Sequence, residues 1–172
     1  RNHVVYGRLL SDFGRGDVAR GELQQAISEQ EAVVKQVPDN LDYQNQLADA
    51  HHNLGMLLDN HKQNEEALQE FSQGLRIRQQ IVERSREPRY RAALARSYGY
   101  VGDVRLELLQ TKAAFQAYGE AERLRRQLVN EQPDSWDARF ELARSYQNTA
   151  NVFSRIAVDN PLKNEAPCDG GT

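Results

Sequence analysis

The residues able to do chemistry are few, and most stand without the partners chemistry needs. Four histidines occur, His3, His51, His52 and His61. A hydrolytic zinc site would set two of them in a His-Glu-x-x-His spacing, or beside Cys-x-x-Cys. Neither pattern is present, and the single cysteine, Cys168, excludes a cysteine zinc site and an intrachain disulfide. The pentapeptide Leu-Ala-Arg-Ser-Tyr occurs twice, at 94–98 and 142–146. Its Ser97 and Ser145 would act as nucleophiles only with a base nearby and a strand-to-helix elbow beneath them. Both instead fall in mid-helix patterns with no neighbouring histidine in sequence. Glu65, Glu66 and Glu70 open a helix, where carboxylates suit the positive end of the helix dipole. Two basic runs, Arg84/Arg86/Arg89/Arg91 and Arg123/Arg125/Arg126, could meet phosphates. Glutamates interleave with them and the formal net charge is −3, so they read as solvated turn surfaces and not as a nucleic-acid face. The expectation is no catalytic residue, no metal and no cofactor.

The elements that would position any site come next. A chain of 172 residues can bury one substantial core; at this size about 70% of the unfolded surface is lost on folding. Charged residues make up 27% and prolines number 5, a balance that favours helix. No apolar run approaches the roughly 18 residues of a membrane span. A single cysteine fits a reducing compartment, so a cytoplasmic location is expected. The chain begins at Arg1 and not at Met, and reads as a piece of a longer protein whose upstream signals are unseen.

The two pentapeptides are part of a longer repeat. Leu47-Ala48-Asp49-Ala50-His51 falls in the same frame, 47 residues before Leu94. A small residue then recurs as Gly7, Gly55, Gly102 and Ala150. Twelve residues beyond each glycine stands an alanine, Ala19, Ala67 or Ala114, and four further on Leu23, Phe71 or Tyr118. Ala26, Gly74 and Ala121 follow, and Pro38, Pro88 and Pro133 punctuate the copies. The period is about 47 residues, with about three and a half copies. Apolar residues step by three or four within each copy, and none alternates over strand length. Seven helices are expected, at 2–13, 17–36, 41–60, 64–85, 90–109, 112–131 and 136–157, with Asn40, Asn64 and Asp134 at their starts. A tail, 158–172, carries Pro161, Pro167 and Gly170-Gly171 and does not continue the helix. It folds back over the last helix, is disordered, or marks where the chain was cut.

Each copy is read as two antiparallel helices, A and B. The glycine on A and the alanine on B mark a close crossing, with Phe71 or Tyr118 filling space beside it. One pair cannot bury its own apolar faces, so pairs stack. The pattern Leu54-Gly55, Ala67, Phe71, Gly74 and Val101-Gly102, Ala114, Tyr118, Ala121, with a weaker copy at Tyr6-Gly7, Ala19, Leu23 and Ala26, resembles the tetratricopeptide repeat (TPR) family. The resemblance covers residues 1 to about 157, and implies an all-α, right-handed solenoid of helix pairs. The usual TPR repeats every 34 residues or so, and this period exceeds it by nearly two turns per helix. The long repeat resembles arrays in kinesin light chains. The phrase Leu-Ala-Arg-Ser-Tyr-Gly-Tyr-Val-Gly-Asp resembles arrays that follow the kinase domain of large bacterial serine/threonine kinases. No Gly-rich phosphate loop, His-Arg-Asp loop or Asp-Phe-Gly accompanies it, so no kinase activity is implied.

The resemblance implies a non-catalytic role in which a peptide or protein partner lies in a groove lined by A helices. It selects Asp49, His52, Asn53 and Met56 in the second copy, Arg96, Tyr100 and Asp103 in the third, and Arg144, Gln147, Asn148 and Asn151 in the fourth. Arg96 and Arg144 either grip an acidic group of the partner or pair with Asp49, Asp103 or Glu141. His51 holds the frame of Tyr98 and Tyr146 and is expected to pack, as are Trp136 and Phe140 against the third copy. Val152, Phe153 and Ile156 form the open face of a last helix that lacks a following B helix, where a second molecule could dock. The alternative role is therefore a scaffold that self-associates or holds a neighbouring enzyme domain.

Overall fold

The computed structural model describes residues 16–159, with side chains through 156. It contains six helices among those residues and no strand: α1 (Gly16–Gln36), α2 (Leu41–Asn60), α3 (Asn64–Arg84), α4 (Pro88–Glu107), α5 (Thr111–Glu131) and α6 (Trp136–Asp159). Each packs on its neighbours in sequence, and α2 also touches α4. This is the nearest-neighbour stacking of an α-solenoid. The expected helix over 2–13, with Gly7, and the tail over 160–172, with Cys168, lie outside the described residues. The helix α6 runs to Asp159, two residues past its expected end.

Helix boundaries follow local chemistry. Asn40 caps α2, its Oδ1 accepting the N–H groups of Asp42 and Tyr43 at 3.1 Å. Pro88 is the first residue of α4, two residues before the expected start. Proline suits that position because its missing N–H would have no helical partner there. Asn64 does not cap α3 but is its first residue, and its side chain donates to Glu107 Oε2 at 3.0 Å. At α6 the hydroxyl of Ser135, and not Asp134, accepts from the Ala138 N–H at 3.2 Å.

The two A-to-B turns share one geometry. Lys62 and Leu109, 47 residues apart, both have φ of 60°. The following N–H groups close back over them, Gln63 to Leu58 O at 2.9 Å and Gln110 to Arg105 O at 2.8 Å. A left-handed residue costs a side chain about 1–2 kcal/mol, which glycine avoids. Leu109 is 68% exposed and loses little packing on truncation. Leu109→Gly is expected to gain about 0.5–1 kcal/mol, once the greater freedom of glycine in the unfolded chain is subtracted. A urea titration with an unchanged or lower midpoint would show that the turn carries no such strain.

The A/B crossing explains the small residues. Ala19, Ala67 and Ala114 are fully buried. A Cβ added at Gly55 would stand 2.8 Å from the Phe71 ring, and one at Gly102 would stand 2.5 Å from the Tyr118 ring. The rings therefore lie on the glycines themselves, where the sequence suggested space beside the crossing. At Gly74 an added Cβ would stand 3.0 Å from the carbonyl oxygen of Ala48, so a second close backbone approach occurs within the same unit.

The fourth copy departs from the pattern because no described helix follows α6. Tyr146, in the frame of half-buried Tyr98, is 48% exposed. Ala150, in the glycine frame, is exposed, as the absence of a covering ring allows. Trp136 and Phe140 do not pack against the third copy. They are 74% and 56% exposed, and their rings meet each other in a tilted pair with centroids 6.4 Å apart. Phe140 borders a cavity whose opposite wall on α4 includes the small residue Ala92. Val152 is not on the open face either: it is fully buried in the cluster formed by Ala114 and Tyr118. Phe153 and Ile156 do remain exposed, Phe153 meeting the Phe115 ring at 5.7 Å.

Candidate functional site

Two arginines missed as site residues organise the A-helix face. Arg78 on α3 and Arg125 on α5 occupy the same repeat frame and are 5% and 2% exposed. A buried guanidinium needs acceptors for its donors. Arg78 finds three: Nε donates to Asn45 Oδ1 at 3.3 Å, Nη1 to Ser97 Oγ at 2.5 Å, and Nη2 to Asp49 Oδ1. Burial pulls its proton affinity below the ordinary arginine value, and the Asp49 carboxylate opposes that shift. Above this cluster Tyr90, 4% exposed, donates its hydroxyl to Asp42 Oδ1 at 2.9 Å. Arg125 is held by Ser145 Oγ at 2.6 Å and forms an ion pair with Glu141 Oε2 at 2.9 Å. Ser97 and Ser145 are thus acceptors for buried arginines, and this is why serine recurs in the repeated pentapeptide.

Most members of the two basic runs are neutralised by ion pairs; Arg86 is exposed. Arg91 makes a two-pronged pair with Glu131, both contacts at 2.5 Å. Arg84 pairs with Asp39, Arg89 with Asp42 and Glu87, Arg123 with Glu120, and Arg126 with Glu122. The sequence pattern places Arg125 with its run as solvated; it is buried instead because α5 turns that position towards α6.

The groove set divides sharply. Asp49 is bound by Arg78. Asn53 donates to the Asp49 carbonyl at 2.7 Å and Met56 packs on the core. His52 and Tyr100 are half-buried, their rings 4.5 Å apart, and Tyr100 stacks on Phe71 at 5.6 Å. Asp103 accepts from the Tyr118 hydroxyl at 2.6 Å, and burial together with that carboxylate pushes the Tyr118 phenol far above its ordinary value. Arg144 pairs with Glu141 at 3.0 Å. In the last copy Gln147 and Asn151 are exposed and Asn148 is half-buried. Arg96 is exposed and makes no ion pair with a described residue. His51 packs half-buried and meets Glu70 Oε2 at 2.7 Å through Nδ1.

Of the groove set, Arg96 alone lines a cavity; Gln147, Asn148 and Asn151 are not among its lining residues. A cavity of about 750 Å³ lies between the first halves of α4 and α6, over the last turns of α5. Ala92, Arg96, Arg125, Leu128, Ala138 and Phe140 are among its lining residues. A volume of this size accommodates a large side chain or a short peptide segment. Glu87, Asp137 and Glu141 also line it, but Glu87 is held by Arg89 and Glu141 by Arg125 and Arg144. Among the described residues no cluster of three His, Cys, Asp or Glu side chains could hold a metal ion. No helix among them is long and apolar enough to cross a membrane.

Comparison with known proteins addresses the fold. No family model matches the chain, and no curated protein does. Among solved structures the chain is similar to BtubC (BKLC) from P. vanneervenii, with 16% sequence identity and a TM-score of 0.52. The match covers 99% of this chain and 67% of that one. Together with the stacked helix pairs, this identifies the protein as an all-α solenoid of helical repeats.

Proposed function

We propose that the protein is a non-catalytic interaction module of long-repeat TPR type, which holds a peptide or a segment of a partner protein on its A-helix face. The cavity beside Arg96 carries this reading. It is the place where the repeat pattern leaves a cation and an apolar wall unfilled. A role inside a larger bacterial signalling protein, next to a kinase domain, rests on the likeness of the repeated phrase. An array of synthetic peptides tests the reading. Wild-type protein is expected to bind a subset saturably, and Arg96→Glu is expected to lose at least about tenfold in affinity for those that carry acidic residues. Equal retention of every peptide by both proteins would overturn the groove assignment.

A second reading, self-association, is favoured by the exposed apolar residues of α6, above all Phe153 and Ile156 at 57% and 45%. The two separate cleanly. Phe153→Glu with Ile156→Glu is expected to dissociate a dimer in sedimentation without touching peptide capture. Arg96→Glu is expected to do the reverse.

A further inference from the structure

The protein contains two junctions built on one plan, and only the first gives its arginine an acceptor at Nε. In the first, α2 and α4 close over Arg78 of α3. In the second, α4 and α6 close over Arg125 of α5. The frame maps Asn45 onto Ala92, Asp49 onto Arg96 and Tyr90 onto Ala138. Each replacement removes something Arg78 has. Asn45 is the acceptor for Arg78 Nε; with Ala92 in its place, Arg125 Nε is buried with no hydrogen-bond partner. Asp49 is the carboxylate on Arg78; with Arg96 in its place, a second cation stands where an anion stood, and the carboxylate on Arg125 comes instead from Glu141 of α6, at Nη2 and not at Nε. Tyr90 is the phenol that closes the first junction; with Ala138 in its place, the cavity is open. A buried donor left without an acceptor is costly, and few native groups tolerate it.

We propose that the second junction is completed in trans by an acidic side chain of a peptide, with a neighbouring aromatic side chain in the space that Tyr90 fills in the first. The carboxylate lies between Arg96 and Arg125 Nε and takes the place of Asn45 and Asp49. The first junction supplies the template for both groups. Leu128, Ala92 and Phe140 form apolar walls for the aromatic ring, and Arg96 supplies the charge that draws the acid in. The inference rests on the groove reading above and narrows it to one ligand chemistry.

The full chain is tested with two probes, acetyl-Ala-Tyr-Glu-Ala-amide and its glutamine counterpart, whose blocked ends exclude recognition of a terminal carboxylate. Binding is read at the single tryptophan, Trp136, whose ring lies 6.4 Å from that of the cavity residue Phe140, and at the Arg125 Nε–H resonance by NMR. The glutamate probe is expected to bind saturably and to shift the Arg125 resonance, with the glutamine probe at least about tenfold weaker. Ala92→Asn with Ala138→Tyr rebuilds the first junction in the second. This variant is expected to melt no lower than wild type and to lose binding. Ala92→Asn alone supplies the acceptor without filling the space, and is expected to weaken binding severalfold. Equal binding of the two probes, or undiminished binding by Ala92→Asn, overturns the inference and leaves the groove reading standing on the peptide array. Failure of the glutamate probe to bind also overturns it; failure of the whole array removes both.

Discussion

Phe71→Ala is expected to destabilise the protein by about 3–5 kcal/mol, the range for emptying an aromatic site in a packed core. Phe71 is 3% exposed and its ring lies on Gly55. The informative measurement is the sign change at Gly55. In wild type, Gly55→Ala should destabilise by about 1–3 kcal/mol, because the new methyl meets the ring at 2.8 Å. In the Phe71→Ala background the same change should stabilise: the ring is gone, a methyl enters the void, and alanine exceeds glycine in helix propensity by about 1 kcal/mol. Gly119→Ala is the control, since an added Cβ there meets nothing within 4 Å. Urea unfolding of the four members of the cycle measures the coupling. Additive effects at Gly55 and Phe71 would mean that the ring does not rest on the glycine.

Arg78→Ala is expected to cost about 2–4 kcal/mol, because it strips the buried Ser97 hydroxyl and Asn45 of their donor. The cost stays below that of a fully buried ion pair because Asp49 is 51% exposed and water can take over its carboxylate. The protein contains its own alternative to this pair. In the first copy the frame of Arg78 holds Gln30, and the frame of Ser97 holds Ala50. Arginine and serine are thus exchanged together for glutamine and alanine. Arg78→Gln with Ser97→Ala is expected to cost about 1–2 kcal/mol less than the sum of the single changes. Chemical denaturation of the two singles and the double decides it. Strict additivity would show that the arginine and the serine are not one unit.

Much of the architecture was legible because repetition exposes it. Small residues at a spacing of twelve, in three successive copies, can be read only as a recurring helix crossing, and Ala19, Ala67 and Ala114 are all fully buried. The cap at Asn40 was legible because its chemistry spans three residues. The site was less so. Arg125 looked solvated beside Arg123 and Arg126, since charge read along the chain cannot show which of three neighbours a helix turns inward. Trp136 and Phe140 looked like core because aromatic residues usually are. In the structure both are exposed, and Phe140 lines an open cavity opposite Ala92. A signal did exist for the arginines: Arg78 and Arg125 lie 47 residues apart, as Ser97 and Ser145 lie 48 apart. Aligning the polar residues of the copies, and not the apolar ones alone, would have joined them.

The sequence by itself determined the helix, the period and the crossing. These follow from the steric demands of small residues and from the 3.6-residue turn, both local properties of the chain. The tertiary structure decided which members of the polar face are still available. Asp49, Asp103, His52 and Tyr100 are engaged by residues on other helices, Arg144 by Glu141 on its own, and Arg96 by none among those described. Most of those engagements join groups 15 or more residues apart in sequence. Their distances exist only once two helices have packed, so no pattern along one helix contains them.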